Sequence, residues 1–277
     1  MSGMQASSQS LPARALHVAR IGWLLFVTVL KRRLAYRGDL LIQSLDEIMR
    51  GLLALVLVKV YMSKAPSLHG WQESEILFIL GFALIPLSLF HCLCGNLYGL
   101  AGRYLVQGEF DRVLLRPYPT FLQICFDRIA IEDLSGLILG IGIMTMAIQD
   151  GAIGRLEGVD FVMLPLLLTS AFLIVAAVFM AFAALSFWFD DRVGLVPPIY
   201  NLMEFGRWPI AIYNDAIKVL ITLVIPFAFT AFYPASWFID HGEHHRALLT
   251  PLVAALCLFL ASCVWRAGVR RYNSTGH

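Results

Sequence analysis

Charged residues are scarce in this sequence. Asp, Glu, Lys and Arg make up 14% of its 277 residues, against about a quarter in a soluble globular domain. A phosphate-cradling loop is also missing. None of the 21 glycines is followed by lysine, so no G-x-x-x-x-G-K-[ST] stretch exists to hold a nucleotide's phosphates. The net charge of +2 provides no basic field for nucleic acid. Cysteines number five, and Cys92, Cys94, Cys125, Cys257 and Cys263 all lie in apolar stretches. Cys92 and Cys94, two apart, point to different sides of a helix and make neither a zinc knuckle nor a redox pair. They read as small buried residues.

What fills the space is apolar, at 59% of residues with a mean hydropathy of +0.74. It comes in blocks without two-residue alternation. Phe161–Phe189 contains no Asp, Glu, Lys, Arg or His. At about 1.5 Å per residue that block outreaches a hydrocarbon core of about 30 Å. A lipid-buried backbone must satisfy itself, and without alternation the solution is a helix. The fold class expected is therefore all-α and membrane-embedded, in a single domain over residues 1–277.

The blocks run Leu40–Met62, Ile76–Leu100 with Pro86 as a kink, Phe121–Ile148, Phe161–Phe189, Val193–Ala211, Ile217–Ile239 and Leu248–Val264. Before them, Met1–Pro12 is polar and reads as a cytoplasmic tail rather than a signal peptide. Ala13–Gly38 reads as an interfacial helix, because the ten uncharged residues Ile21–Leu30 are too few to span. Seven crossings would put the two ends on opposite sides. Six put fourteen basic residues on one face and four on the other, with Arg50, Lys59 and Arg207 inside spans. That bias makes the richer face cytoplasmic, with both termini on it. One block then does not cross, and Ile217–Ile239, interrupted by Pro226 and Pro234, is expected to dip in from the outside and return. Residues 1–39 become tail and interfacial helix, 103–121 a cytoplasmic loop, and 213–246 an outer re-entrant region.

The loop Arg103–Phe121 reads RYLVQGEFDRVLLRPYPTF. Gly108 can begin a helix, Glu109 and Asp111 make its first turn acidic, and Pro117 and Pro119 end it. A short helix exposing Phe110, Leu114 and Leu115 beside charges suits a partner protein. It suits a lipid surface equally well, with Arg116 on headgroups.

The run GEFDRVLLRPYP resembles the G-x-[LF]-D-x-x-L-x-R-P stretch of the ABC-type-two family of bacterial exporter permeases. Glu204–Ala235 is similar to the same family's FGRYPxxIY…F-x-I-P…PA stretch, Leu34–Asp39 to its AYRxD, and Arg270-Arg271-Tyr272 to its usual ending. The resemblance implies six spans per subunit, two subunits (identical or related) forming the pathway, and a separate ATPase carrying ATP and Mg, so that no cofactor is bound by this chain. It implies that Gly108, Glu109, Phe110, Asp111, Arg112, Leu115, Arg116 and Pro117 form the coupling element. Val193–Ala211 would be span five and Ile217–Ile239 the re-entrant cap, in a bacterial inner membrane.

Other polar clusters admit two readings each. Asp127, Arg128, Glu132 and Asp133 form a gate or cation site, or an internal salt bridge in which Arg128 meets Glu132 one helical turn on. Asp46, Glu47 and Arg50 pose the same choice and are able to pair with them. Glu204 and Arg207 are expected to satisfy each other within span five, with a substrate role in the pathway as the second reading. His241, His244, His245 and Glu243 resemble a metal set but lack a rigid frame, and no metal is expected. Asn273-Ser274-Thr275 fits a glycosylation sequon on the wrong side of the membrane. Two other classes have weaker support. An ion-coupled carrier calls for inverted repeats and midplane carboxylates. An intramembrane enzyme calls for an oriented nucleophile and base, and Ser88 with His91 is the lone internal pair.

Overall fold

The computed structural model describes residues 27, 37–64, 67–154, 156–189, 195–240 and 243–273. The Ala13–Gly38 helix (but for its end), the Asp190–Arg192 turn and His241 lie outside them. The described chain is helical, with one tight Leu68–Trp71 bridge.

Helix α1 is Arg37–Met62, 26 residues and so about 39 Å long. Helix α2, Glu73–Cys94, starts where the Gln72 backbone N–H donates to the Glu75 carboxylate at 2.8 Å. It continues through a 3₁₀ turn, Gly95–Gly99, and a π-helical turn, Leu100–Val106. Then come α3 (Phe110–Leu114), α4 (Thr120–Asp127), α5 (Leu134–Gln149) and α6 (Asp160–Ala184). The C-terminal part holds α7 (Val196–Met203), α8 (Asp215–Val219), α9 (Phe232–Ala235), α10 (His244–Ala247) and α11 (Thr250–Arg271). Among the described residues, four stretches are long and apolar enough to cross a membrane: Glu73–Val106, Ile131–Gln149, Asp160–Phe187 and His244–Arg271. Helix α1 has the length but carries Asp46, Glu47 and Arg50 in its first half.

Helix α2 is the hub. A Cβ on Gly81 would stand 2.7 Å from the Met144 amide nitrogen, and one on Gly140 would stand 2.8 Å from the Gly81 carbonyl oxygen. The missing side chains let α2 and α5 touch backbone to backbone, which replaces the hydrophobic drive that lipid cannot supply. Helix α6 lies along α11, where Gly268 leaves room for the Phe187 ring.

The bundle has two distinguishable ends. At one, Lys59 meets Glu73 at 3.3 Å, the Trp237 indole N–H donates to Asp160 at 2.9 Å, and Arg246 donates to the Tyr233 hydroxyl at 2.8 Å. At the other, Phe110, Phe121, Phe187, Trp265 and Tyr272 form one aromatic cluster. Loop 103–121 and the ends of α6 and α11 therefore share a face.

Three of the apolar blocks, two expected as spans and one as the re-entrant hairpin, are not single helices. Phe121–Ile148 breaks after α4, where Arg128 is extended (φ −144°, ψ 119°). The cause is Asn96, whose side-chain amide donates to the carbonyls of Ile124, Cys125 and Arg128 at 2.8, 3.3 and 2.9 Å. It occupies the acceptors that a continuing helix would offer to residues 128 and 129. The Ala130 N–H leaves instead for the Cys92 carbonyl at 3.0 Å. The expected one-turn spacing of Arg128 and Glu132 is thus absent. Val193–Ala211 breaks at Trp208, extended (φ −113°, ψ 154°) ahead of Pro209, because a residue before proline avoids the helical region. Ile217–Ile239 is a chain of short turns on either side of an extended Ile225 (φ −128°, ψ 98°). Its later part, Phe227–Ala235, is buried, whereas Leu223 and Val224 are exposed.

Candidate functional site

The loop end is built around Gly108. Its φ of +74° lies in the left-handed region, open to glycine without strain, and turns the chain into α3. The five residues of α3 are too few to be stable alone, so packing must hold them. Phe110 does this. Sequence reasoning placed its ring on the surface; it is 0% exposed, at 5.2 Å from the Phe187 ring and 4.8 Å from that of Tyr272. The correction has a simple cause: Gly108 points the first turn inward, and the apolar ring fills the gap between the ends of α6 and α11. Asp111 lies beside the Tyr272 hydroxyl, which burial and then that carboxylate push up to about 12.

Arg103 donates to Glu109 at 2.7 Å and to Asp127 at 2.9 Å, and the Tyr104 hydroxyl donates to Asp127 at 3.0 Å. The ladder ties the start of α3 to the end of α4. The Gln123 side-chain amide donates to the Tyr118 carbonyl at 2.6 Å and holds the Pro117–Pro119 corner. What remains outward is Arg112, Leu114, Leu115 at 84% exposure, Arg116 and Pro117. An apolar ridge flanked by arginines, on a pinned helix, can be gripped by another surface.

A second constellation surrounds a cavity of about 420 Å³ lined by Gln43, Arg50, His91, Asn96, Tyr98, Arg128, Glu132, Asp133 and Tyr200, with Gly95 and Ala130. The two clusters that sequence reasoning allowed to pair meet here, Arg50 with Arg128, Glu132 and Asp133. Arg50 is held by Asp46 at 3.0 Å and Glu47 at 2.9 Å. Ser135 and Ser44 then join the two elements, the Ser135 hydroxyl donating to the Ser44 carbonyl at 3.3 Å. Glu47 and Glu132 are buried. The break between α4 and α5 exposes backbone to this void, as non-helical chain at membrane depth can do only beside protein or water. Asp127, grouped with Arg128 by sequence, belongs to the loop-end ladder instead.

Glu204 and Arg207 are ion-paired on one 3₁₀ turn. They border a void of about 20 Å³ with Pro86, Leu87, Val175 and Thr230, level with the middle of α2 and α6. In the histidine loop, Glu243 pairs with Arg246 at 2.8 Å and His244 stacks edge-on against Trp237. No group of three metal-capable residues occurs among the described residues. His91 approaches the Tyr98 hydroxyl at 3.3 Å, and the Ser88 hydroxyl, fully buried, has no hydrogen-bond partner among the described residues.

Sequence reasoning missed Gln43, Asn96, Tyr98 and Tyr200 as cavity walls. A lone asparagine following a run of apolar residues was the available signal for Asn96. Nothing in the sequence brings Tyr200 to α2, since that contact depends on tertiary packing.

No curated protein and no solved structure matches the chain. A family model described as ABC-2 family transporter protein matches residues 48–276. That span covers α2 to α11, the pinned loop end and all but the first edge of the cavity. The chain is a multi-pass membrane protein that belongs to the ABC-2 family of transporter proteins.

Proposed function

We propose that this chain is the permease subunit of an ATP-driven exporter, forming the pathway as a pair with an identical or related permease and driven by a separate ABC ATPase. The observation that carries the reading is α3. A five-residue helix is clamped by Phe110 between the ends of α6 and α11, with Leu114, Leu115 and Arg116 left outward. A device that receives force needs that combination of a rigid root and an exposed face. ATP and Mg stay on the partner, since no phosphate loop occurs here, and this chain is no enzyme itself.

Six crossings follow if α1 is the first span, with its charges facing protein, and if residues 196–212 contribute a broken fifth. Residues 213–246 then form an outer re-entrant region. The basic bias puts the α3 end and both termini in the cytoplasm of a bacterial inner membrane. The test is capture of candidate ABC ATPases by the purified permease, comparing wild type with Leu115→Glu. Expected is a loss of capture at unchanged permease stability. Equal capture by both, or transport by the permease alone under an ion gradient, overturns the reading.

A further inference from the structure

Two buried thiols meet where α2 ends. Cys94 is the last residue of α2, and Cys125 lies in the last turn of α4. Their side chains share a hydrogen bond across the junction. Both are free, at 5% and 2% exposure, inside the main apolar core. Cys92, the nearer neighbour in sequence, packs instead with Ile129 in a separate small cluster. The pairing therefore follows space and not the chain.

Backbone ties on either side keep the two thiols together. The Ala130 N–H donates to the Cys92 carbonyl at 3.0 Å, and the Asn96 side-chain amide donates to the Cys125 carbonyl at 3.3 Å. Cys94 is bracketed by the two residues that stitch α2 to the segment around α4. These stitches are hydrogen bonds, which a movement of the break at 128–133 can exchange. A covalent bond at the same place cannot be exchanged. Apolar burial shuts out charged reagents, but a small neutral molecule has a way in. The 420 Å³ cavity is lined by Gly95 and Asn96, the residues that follow Cys94.

We infer that Cys94 and Cys125 form a thiol–disulfide site that reacts with small uncharged two-electron oxidants, peroxides or diazenes, and then pins α4 to the end of α2. One sulfur bonds to the oxidant and the second displaces it. Two S–H bonds break and one S–S bond forms. The two electrons and two protons go to the oxidant, which leaves as water or as a hydrazine. A pinned break cannot follow the helices, so transport stops. That last consequence rests on the exporter reading, whereas the bond itself does not.

The probe is diamide, an uncharged diazene, added to the full chain in nanodiscs before alkylation and peptide mass spectrometry. The expected product is a Cys94–Cys125 linked peptide with Cys92 still alkylated, reversed by dithiothreitol. Amide exchange over residues 120–130 should fall by about tenfold or more in the oxidised form, and Cys125→Ser should remove both effects. A link from Cys92 to Cys125 overturns the assignment. So does the absence of a Cys94–Cys125 link once Cys263, exposed on α11, has fully reacted. A Cys94–Cys125 bond that leaves exchange at 120–130 unchanged refutes the pinning. Failure of the reduced wild type to capture an ATPase, with the bond forming as described, refutes the exporter reading alone.

Discussion

Replacing Phe110 by alanine tests whether α3 is held by one ring. The side chain is fully buried, and emptying such a site in a packed core costs about 3–5 kcal/mol. Part of that is the pair of edge contacts to Phe187 and Tyr272, each worth about 0.5–1.5 kcal/mol. The loss should be local. The α2–α5 glycine seam does not touch Phe110, and a five-residue helix has no stability of its own to fall back on. A local loss of about 3 kcal/mol corresponds to a rise of about a hundredfold in amide exchange. Exchange mass spectrometry on the protein in nanodiscs should show that rise in peptides covering residues 108–116 and little change in α2 and α5. In complex with the ATPase, hydrolysis should continue while transport falls. Unchanged exchange at residues 108–116, or an equal rise in every helix, would refute the idea of a ring-held lever.

Three further outcomes follow from other contacts. Gly81→Ala drives a methyl group to 2.7 Å from the Met144 nitrogen, while Gly95→Ala meets nothing within 4 Å; the first should cost about 1–3 kcal/mol and lower Tm in detergent well below that of the second. Asn96→Ala strips the shared donor from three carbonyls, worth about 1–3 kcal/mol. Asn96→Asp, which sets a carboxylate against them, should be the worse of the two in proteolysis at the 124–130 break. Gly108→Ala imposes a Cβ at a φ of +74° and should destabilise by about 1–2 kcal/mol; Gly108→Asn should cost less, as read by exchange in α3.

How much of this was legible in the residues depended on whether local rules governed them. Long apolar blocks have one solution in lipid, so α2, α6 and α11 could be placed from composition alone. The ion pair of Glu204 with Arg207 is three residues long and needs no tertiary information. Gly108 announced a turn. The failures are places where a distant residue overrides a local preference. Asn96 ends α4 from twenty-eight positions away, by binding the Ile124 carbonyl. Phe110 is hidden by residues from two helices further along the chain. The cavity is assembled from four such elements, so sequence supplied its charges and allowed them to pair, but did not set Asn96, Tyr98 and Tyr200 beside them.

The breaks themselves explain how force on α3 would divide. A push there reaches α6 and α11 first, because their ends clasp Phe110 directly. It reaches α4 through Arg103, whose two salt bridges to Glu109 and Asp127 span the junction. Helix α2 sits behind the weakest helical geometry in the bundle, the 3₁₀ and π turns of Gly95–Val106, where hydrogen-bond registers shift at small cost. The α2–α5 pair is locked by glycine backbones and has no room to slide without a clash. The compliant elements are therefore residues 95–106 and 128–133, and both border the polar cavity. Movement between a clasped α6–α11 unit and a locked α2–α5 unit has to be absorbed where Asn96 crosses from one break to the other. That crossing puts the change in shape at the charged wall rather than at the lipid.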